Sequence, residues 1–190
     1  MDQGLNWELA RALNSWAGKF PIVDGIASVV ADYLIFLFFL AAAVWWFVPS
    51  TDNVGKRAAM AAFIAVVFGQ LVNLLLGHFI YVPRPFVAHQ EVQLLVNAAH
   101  DSSFPSDHTT AAFSVAITAI LWGMPGRWLL LIGAVLIAIA RVFVGAHYPL
   151  DVLAGAALGT LWAYLVFRLD ARLRPLYDAV IAFARRIHLA

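Results

Sequence analysis

A chain of 190 residues that is 63% hydrophobic and only 12% charged has the composition of a membrane protein and the length of a single domain, since ordinary soluble domains carry about 25% charged residues. Its formal net charge of +1 gives no electrostatic case for a nucleic-acid partner, and the absence of cysteine excludes thiolate catalysis, disulfides and cysteine-ligated metals. The first element contains LNWELARALNSWAGKF, in which Leu5, Leu9, Leu13, Trp16 and Phe20 recur at helical spacing while Glu8, Arg11 and Lys19 fall elsewhere. This predicts an amphipathic helix over 1–22 lying on the membrane surface. Asp2 and Glu8 stand where a signal peptide would be basic, so the segment is not expected to be a cleaved leader. Five apolar spans are expected next, at 26–48, 58–76, 109–124, 128–144 and 152–167, judged against the roughly 20 residues a helix needs to cross a bilayer. The third and fifth are short and are completed by polar residues at their starts, which suggests that those ends sit in a water-filled pocket. From Ala171 the chain is expected to form a short cytoplasmic helix. The fold class is therefore an all-α, polytopic membrane bundle in one domain.

Basic residues orient the bundle. Lys56 and Arg57 fall between the first two spans, Arg127 between the third and fourth, and Arg168, Arg172, Arg174, Arg185 and Arg186 after the fifth. Alternating helices put all eight on one face, which the positive-inside rule makes cytoplasmic. The connections 77–108 and 145–151 then share the outer face.

Three polar clusters lie on that outer face. In YVPRPF, Pro83 and Pro85 hold the backbone around Arg84 extended and present its guanidinium from a fixed position. In FPSDH, Ser106 stands near the N-cap of the third span, with Asp107 and His108 following, so the hydroxyl and the free helix N–H groups form a potential anion site. In ARVFVGAHYPLD, Arg141 ends the fourth span, His147 occupies the turn, Pro149 suits a first helical position, and Asp151 falls within reach of the imidazole. Taken singly, each has a plainer reading: Ser or Asp as a cap, Arg snorkelling to headgroups, His as a hydrogen-bonded structural residue. Together they supply two guanidiniums, a helix N-terminus, a hydroxyl and two histidines, which is equipment for phosphoryl transfer. His89, Glu91, His100 and Asp101 in the long connection read as a solvated loop face rather than an ion site. Gln70 and Asn73 in the second span read as helix–helix hydrogen bonds.

PRP, PSDH and Arg141-x5-His147-x3-Asp151, in this order, resemble the three-part signature of the type 2 phosphatidic acid phosphatase superfamily of integral membrane lipid phosphatases. The match covers about residues 77–155. Within the superfamily, RPF followed by LLVNAAHDSSFPSDHTT is most similar to the bacitracin-resistance branch of undecaprenyl-diphosphate phosphatases. The resemblance implies that His147 is the nucleophile and forms a phosphohistidine, that Asp151 orients it, and that His108 is the general acid. It assigns Arg84, Arg141 and Ser106 to the phosphoryl oxygens, includes Asp107 in the phosphate-binding set, and implies a chemistry that needs no metal or cofactor. Two positions depart from the wider family: Gly77 stands where that family has Lys, and Asp107 where it has Gly. Both departures suit the narrower branch.

The implied substrate is a polyprenyl diphosphate, whose monophosphate product returns to envelope synthesis. Each buried methylene contributes about 0.8 kcal/mol, so the lipid tail stays in the bilayer and the site must come to the interface. Two other functions are weighed against it: a phosphatidylglycerophosphate or phosphatidate phosphatase, and a lipid-binding or transport protein without turnover.

Overall fold

The computed structural model describes residues 3–47 and 53–188, and its secondary structure among them is helical. The elements are α1 (Gln3–Asn14), α2 (Pro21–Asp32), α3 (Leu34–Phe47), α4 (Val54–Phe79), α5 (Pro85–Ala88), α6 (Asp107–Leu121), α7 (Arg127–Phe143), α8 (Pro149–Arg168) and α9 (Asp170–Arg186). The expected end of the first span at Val48, and residues 1–2 and 189–190 of the terminal helices, lie outside the described residues.

The structure corrects the expected elements in two places. The N-terminal helix stops at Asn14 instead of running to 22, because a turn through Gly18, at φ +80°, redirects the chain into Pro21 at the start of α2. The first span is two helices, α2 and α3, bent by 43° at Tyr33. Among the described residues, α4 and α8 are each long and apolar enough to cross a membrane, and α2 and α3 meet the same test only when taken together across their bend. At 15 and 17 residues, α6 and α7 are shorter than a full crossing. Their shared end is a tight GMPG connection in which Gly123 and Gly126 take positive φ, a conformation that glycine adopts without steric cost.

Exposed Phe36, Leu40, Leu71, Leu74, Leu129 and Ile132 give the bundle an outward apolar surface suited to lipid. The chain is a multi-pass membrane protein.

At the centre is α6, which packs most extensively against α8 and also against α7 and α4. Its inward residues are small: Thr109, Thr110, Ala111, Ala112, Ser114 and Ala116 are all buried. Opposite them, α8 presents Gly155 and Gly159. A Cβ at Gly155 would lie 2.7 Å from the Ser106 carbonyl oxygen, and one at Gly159 would overlap the Thr110 carbonyl oxygen. This is the small-xxx-small device of membrane helix pairs, which lets two backbones touch. It brings the starts of α6 and α8, and so the second and third polar clusters, to one place. Gly159→Val is expected to destabilise the protein by about 1–3 kcal/mol through overpacking, and to lower activity by parting α6 from α8. Thermal unfolding in detergent and activity of the folded fraction measure both.

The eight basic residues of the expected cytoplasmic face lie toward the end remote from the clusters. Arg127 begins α7, Arg168 ends α8, and Arg185 of α9 donates to Asn53 Oδ1 at 2.9 Å, just before α4.

Candidate active site

The third cluster is shaped by local rules. Pro149 opens α8 with a φ suited to a helix, and Asp151 Oδ2, two residues on, accepts the Tyr148 N–H at 2.8 Å. Gly145, at φ +80°, turns the chain between α7 and α8, and the Ala146 and His147 N–H groups both return to the Arg141 carbonyl at 3.2 Å. His147 is thereby held in the turn, fully enclosed, with 2% of its surface exposed.

The surroundings of His147 determine its tautomer. Its Nδ1 lies 2.8 Å from the Ser103 carbonyl oxygen, an acceptor only, so Nδ1 carries the proton and donates it there. Its Nε2 lies 3.2 Å from Arg84 Nη1 and 3.3 Å from Arg141 Nη2. Guanidiniums only donate, so the Nε2 lone pair faces two positive groups. Asp151 Oδ2 is 3.7 Å from Nδ1, beyond hydrogen-bond range. Its link to the imidazole runs through Ser103, whose Oγ donates to Asp151 Oδ2 at 2.5 Å and whose carbonyl takes the Nδ1 proton.

Both guanidiniums are themselves fixed. Arg84, between its prolines, stands in extended conformation at the start of α5 and is buried. Its Nε and Nη2 donate to Asp101 Oδ1 at 2.9 and 2.8 Å, and its Nη1 also reaches the Ala146 carbonyl at 3.2 Å. Arg141, buried near the end of α7, donates from Nη1 to Asp32 Oδ1 at 2.8 Å.

The second cluster supports the turn from the side. Ser106 is the N-cap residue of α6 but makes no side-chain capping bond; its N–H donates to the Asp151 carbonyl at 3.1 Å and its Oγ accepts from Thr109 Oγ1 at 3.1 Å. His108, half-buried in the first turn of α6, has its pKa lowered to about 4, first by burial and then by the guanidiniums of Arg141 and Arg84. Asp107 points elsewhere: its Oδ1 accepts from Asn73 Nδ2 of α4 at 2.8 Å, and Gln70 Nε2 donates to its carbonyl at 3.0 Å. A polar cleft of 460 Å³ lies on that side, lined by Asn73, Gly77, His78, Asp101, Ser102 and Asp107. At Gly77, a Cβ would meet Ser102 Cβ at 3.3 Å, so the small residue lets the loop before α6 close onto α4.

The structure therefore brings Arg84, Arg141, His147, Asp151, Ser106 and His108 to one end of the bundle and turns the Asp107 carboxylate toward α4. The loop residues are separately engaged: His89 stacks on Trp7 with ring centroids 3.6 Å apart, His100 meets Phe86 edge-on, and Asp101 holds Arg84. Among the described residues no three His, Asp or Glu side chains converge as metal ligands. Ser103 and Asp32 were missed at the sequence level. Ser103 adjoins FPSDH, and a serine two residues before the proline that precedes the α6 cap was the available hint. An isolated Asp within an apolar span was the hint for Asp32.

Burial pushes the His147 pKa below the ordinary 6.5; Asp151 opposes this, while Arg141 and Arg84 reinforce it. The imidazole thus stays neutral, with its lone pair available, at pH values where an exposed histidine is protonated. If His147 acts as a base or nucleophile, the acidic limb of kcat/KM is expected below 6.5. A limb above that value would contradict a neutral, buried His147 in this role.

Residues 58–175 match the family model of the PAP2 superfamily. Undecaprenyl-diphosphatase BcrC of Bacillus subtilis is 32% identical over 177 residues, covering 93% of this chain and 90% of that protein. The crystal structure of Aquifex aeolicus LpxE superposes with a TM-score of 0.68 at 27% identity, covering 86% of this chain and 95% of that one. The PAP2-type phosphatidylglycerolphosphate phosphatase of Bacillus subtilis shares the fold, with a TM-score of 0.69 at 23% identity over 90% of this chain and 87% of that one.

Proposed function

The chain belongs to the PAP2 superfamily, and from that premise we propose that this membrane phosphatase hydrolyses undecaprenyl diphosphate to undecaprenyl phosphate and phosphate. The observation that carries the chemistry is His147 Nε2, unprotonated and facing Arg84 and Arg141 at 3.2 and 3.3 Å. A terminal phosphoryl group entering between the guanidiniums meets the lone pair along one direction and two fixed cations around its equatorial oxygens. Nε2 attacks phosphorus, the bond to the bridging oxygen breaks, and His108, protonated when the anionic head offsets the burial and guanidiniums that lower its pKa to about 4, gives its proton to the departing lipid monophosphate. Water then attacks the phosphohistidine, His108 takes the proton, the N–P bond breaks, and phosphate leaves. Asp151, through Ser103, holds the Nδ1 proton in place and stabilises the positive ring that forms.

Two observations support the lipid. Undecaprenyl-diphosphatase BcrC shares the chain nearly end to end. An apolar groove of 660 Å³ runs between α1, α7 and α8, lined by Leu13, Trp16, Ile139, Val142, Val152 and Leu153. Val142 adjoins Arg141 and Val152 adjoins Asp151, so a tail lying there keeps its head at the site and its methylenes in the bilayer. Phosphate release from detergent-solubilised undecaprenyl diphosphate, phosphatidylglycerophosphate and phosphatidate tests the assignment. The diphosphate is expected to give the highest kcat/KM. Preference for either glycerolipid overturns the substrate, and no release from any of them supports a non-catalytic lipid-binding protein.

The five-span topology, with the active site on the outer face of the bacterial cell membrane and the amphipathic α1 at its surface, belongs to the same proposal, as does a role in carrier-lipid recycling and bacitracin resistance. The chain has no native cysteine, so single cysteines report without background. Ser102→Cys is expected to react with a membrane-impermeant thiol reagent in intact spheroplasts, and Asn53→Cys only after lysis. The reverse pattern would put hydrolysis on the cytoplasmic leaflet.

A further inference from the structure

Asp32 is an ionisable residue that helix physics does not favour where it stands. It is the last residue of α2, where its carboxylate faces the negative end of the helix dipole, and it sits inside a bent apolar span. It also lies outside residues 58–175, the part of the chain that matches the family model. What it touches accounts for its presence. Its Oδ1 accepts from Arg141 Nη1 at 2.8 Å, while Nη2 of the same guanidinium faces His147 Nε2 at 3.3 Å. The two ends of the fork are thus held by different partners, which fixes both the plane of the guanidinium and the direction of Nη2. A counterion placed elsewhere would neutralise Arg141 without setting that plane. The break at Tyr33 is part of the arrangement, because α2 packs on α7 while α3 packs chiefly on α4.

We propose that Asp32 is a positioning residue: by gripping Arg141 Nη1 from the kink between α2 and α3, it aims Nη2 at the phosphoryl oxygens during transfer. Arg84 has its equivalent in Asp101, so each guanidinium at His147 is held from behind by a carboxylate on another segment. This inference rests on the phosphatase reading of the site but not on which lipid is cleaved.

The test therefore uses orthovanadate, which mimics five-coordinate phosphorus, and measures its affinity for the full-length protein in detergent by calorimetry. Asp32→Ala is expected to weaken vanadate binding about 10–100-fold, the usual size for a hydrogen bond to a charged group. Asp32→Asn keeps an acceptor for Nη1 and is expected to recover most of that loss; it is also the variant that reports if Asp32→Ala does not fold. In an Arg141→Ala background, Asp32→Ala is expected to cost nothing further, since a positioning residue has nothing left to position. An equal loss in both backgrounds, or unchanged affinity in folded Asp32→Ala and Asp32→Asn, overturns the proposal. Failure of wild-type protein to bind vanadate would instead refute the phosphatase reading, and with it the role of Asp32; phosphate release from the wrong lipid would refute only the substrate.

Discussion

His147→Ala is expected to abolish phosphate release to the limit of detection while leaving the bundle folded. The reason lies in what surrounds the residue. Of the hydroxyls near it, Ser103 Oγ is committed to Asp151 and Ser106 Oγ to Thr109, both within the buried interior. No other group combines a free lone pair with two guanidiniums in front of it, so no neighbour can take over the attack. The companion experiment uses His108→Ala, which slows protonation of the leaving group and the activation of water in the second step. Brief incubation with labelled diphosphate lipid followed by denaturation is expected to leave label on the protein that acid removes and base does not, as for a phosphoramidate. Substantial turnover by folded His147→Ala, or base-labile label, would remove His147 from the nucleophile's role.

The next largest effect is expected at Arg84. Arg84→Ala should lower kcat by about 10²–10³-fold, the size found for loss of one preorganised donor to a developing charge. Arg84 is well preorganised: flanking prolines set its backbone, and Asp101, the Ala146 carbonyl and His147 orient its guanidinium. Arg84→Lys keeps the charge but cannot reach Asp101, Ala146 and the phosphoryl oxygen together, so it should recover only a small part of the loss. Steady-state kinetics on the same lipid separates the cases. A rise in KM with kcat unchanged would show that Arg84 binds the ground state alone.

How far the sequence reveals this site depends on the kind of interaction. Arg84, His108, Arg141, His147 and Asp151 stand out because polar side chains in greasy surroundings are conspicuous and their spacing matches one chemistry. Ser103 does not, because half of its contribution is a backbone carbonyl, which every residue possesses; only the folded loop brings that carbonyl to Nδ1. Asp32 is visible as an oddity, but its partner is 109 residues away, and no local rule connects them. The bend at Tyr33 is concealed for a similar reason: the apolar composition runs on through it, and the break follows from packing α2 and α3 against different neighbours. The close approach of α6 and α8 is written in Gly155 and Gly159, yet small residues are common in membrane helices, and only the contacts identify which pair matters. Asp107 shows the opposite case, a residue conspicuous in the motif whose carboxylate is taken up by Asn73.

The two hydrogen bonds aimed at His147 Nε2 have a consequence for what the protein leaves alone. The Nε2 lone pair faces two guanidiniums, and neutral electrophiles at the interface, such as lipid esters and carbonyls, offer Arg84 and Arg141 no negative charge to hold. A phosphate head does, because its anionic oxygens are stronger acceptors than an imidazole nitrogen. In the proposed reaction those oxygens take up the donors of Arg84 and Arg141 while Asp101 and Asp32 keep both guanidiniums in place, which leaves Nε2 facing the phosphorus. On the proposed mechanism, a buried histidine rests beside a sea of esters and reacts only with a head that carries negative charge.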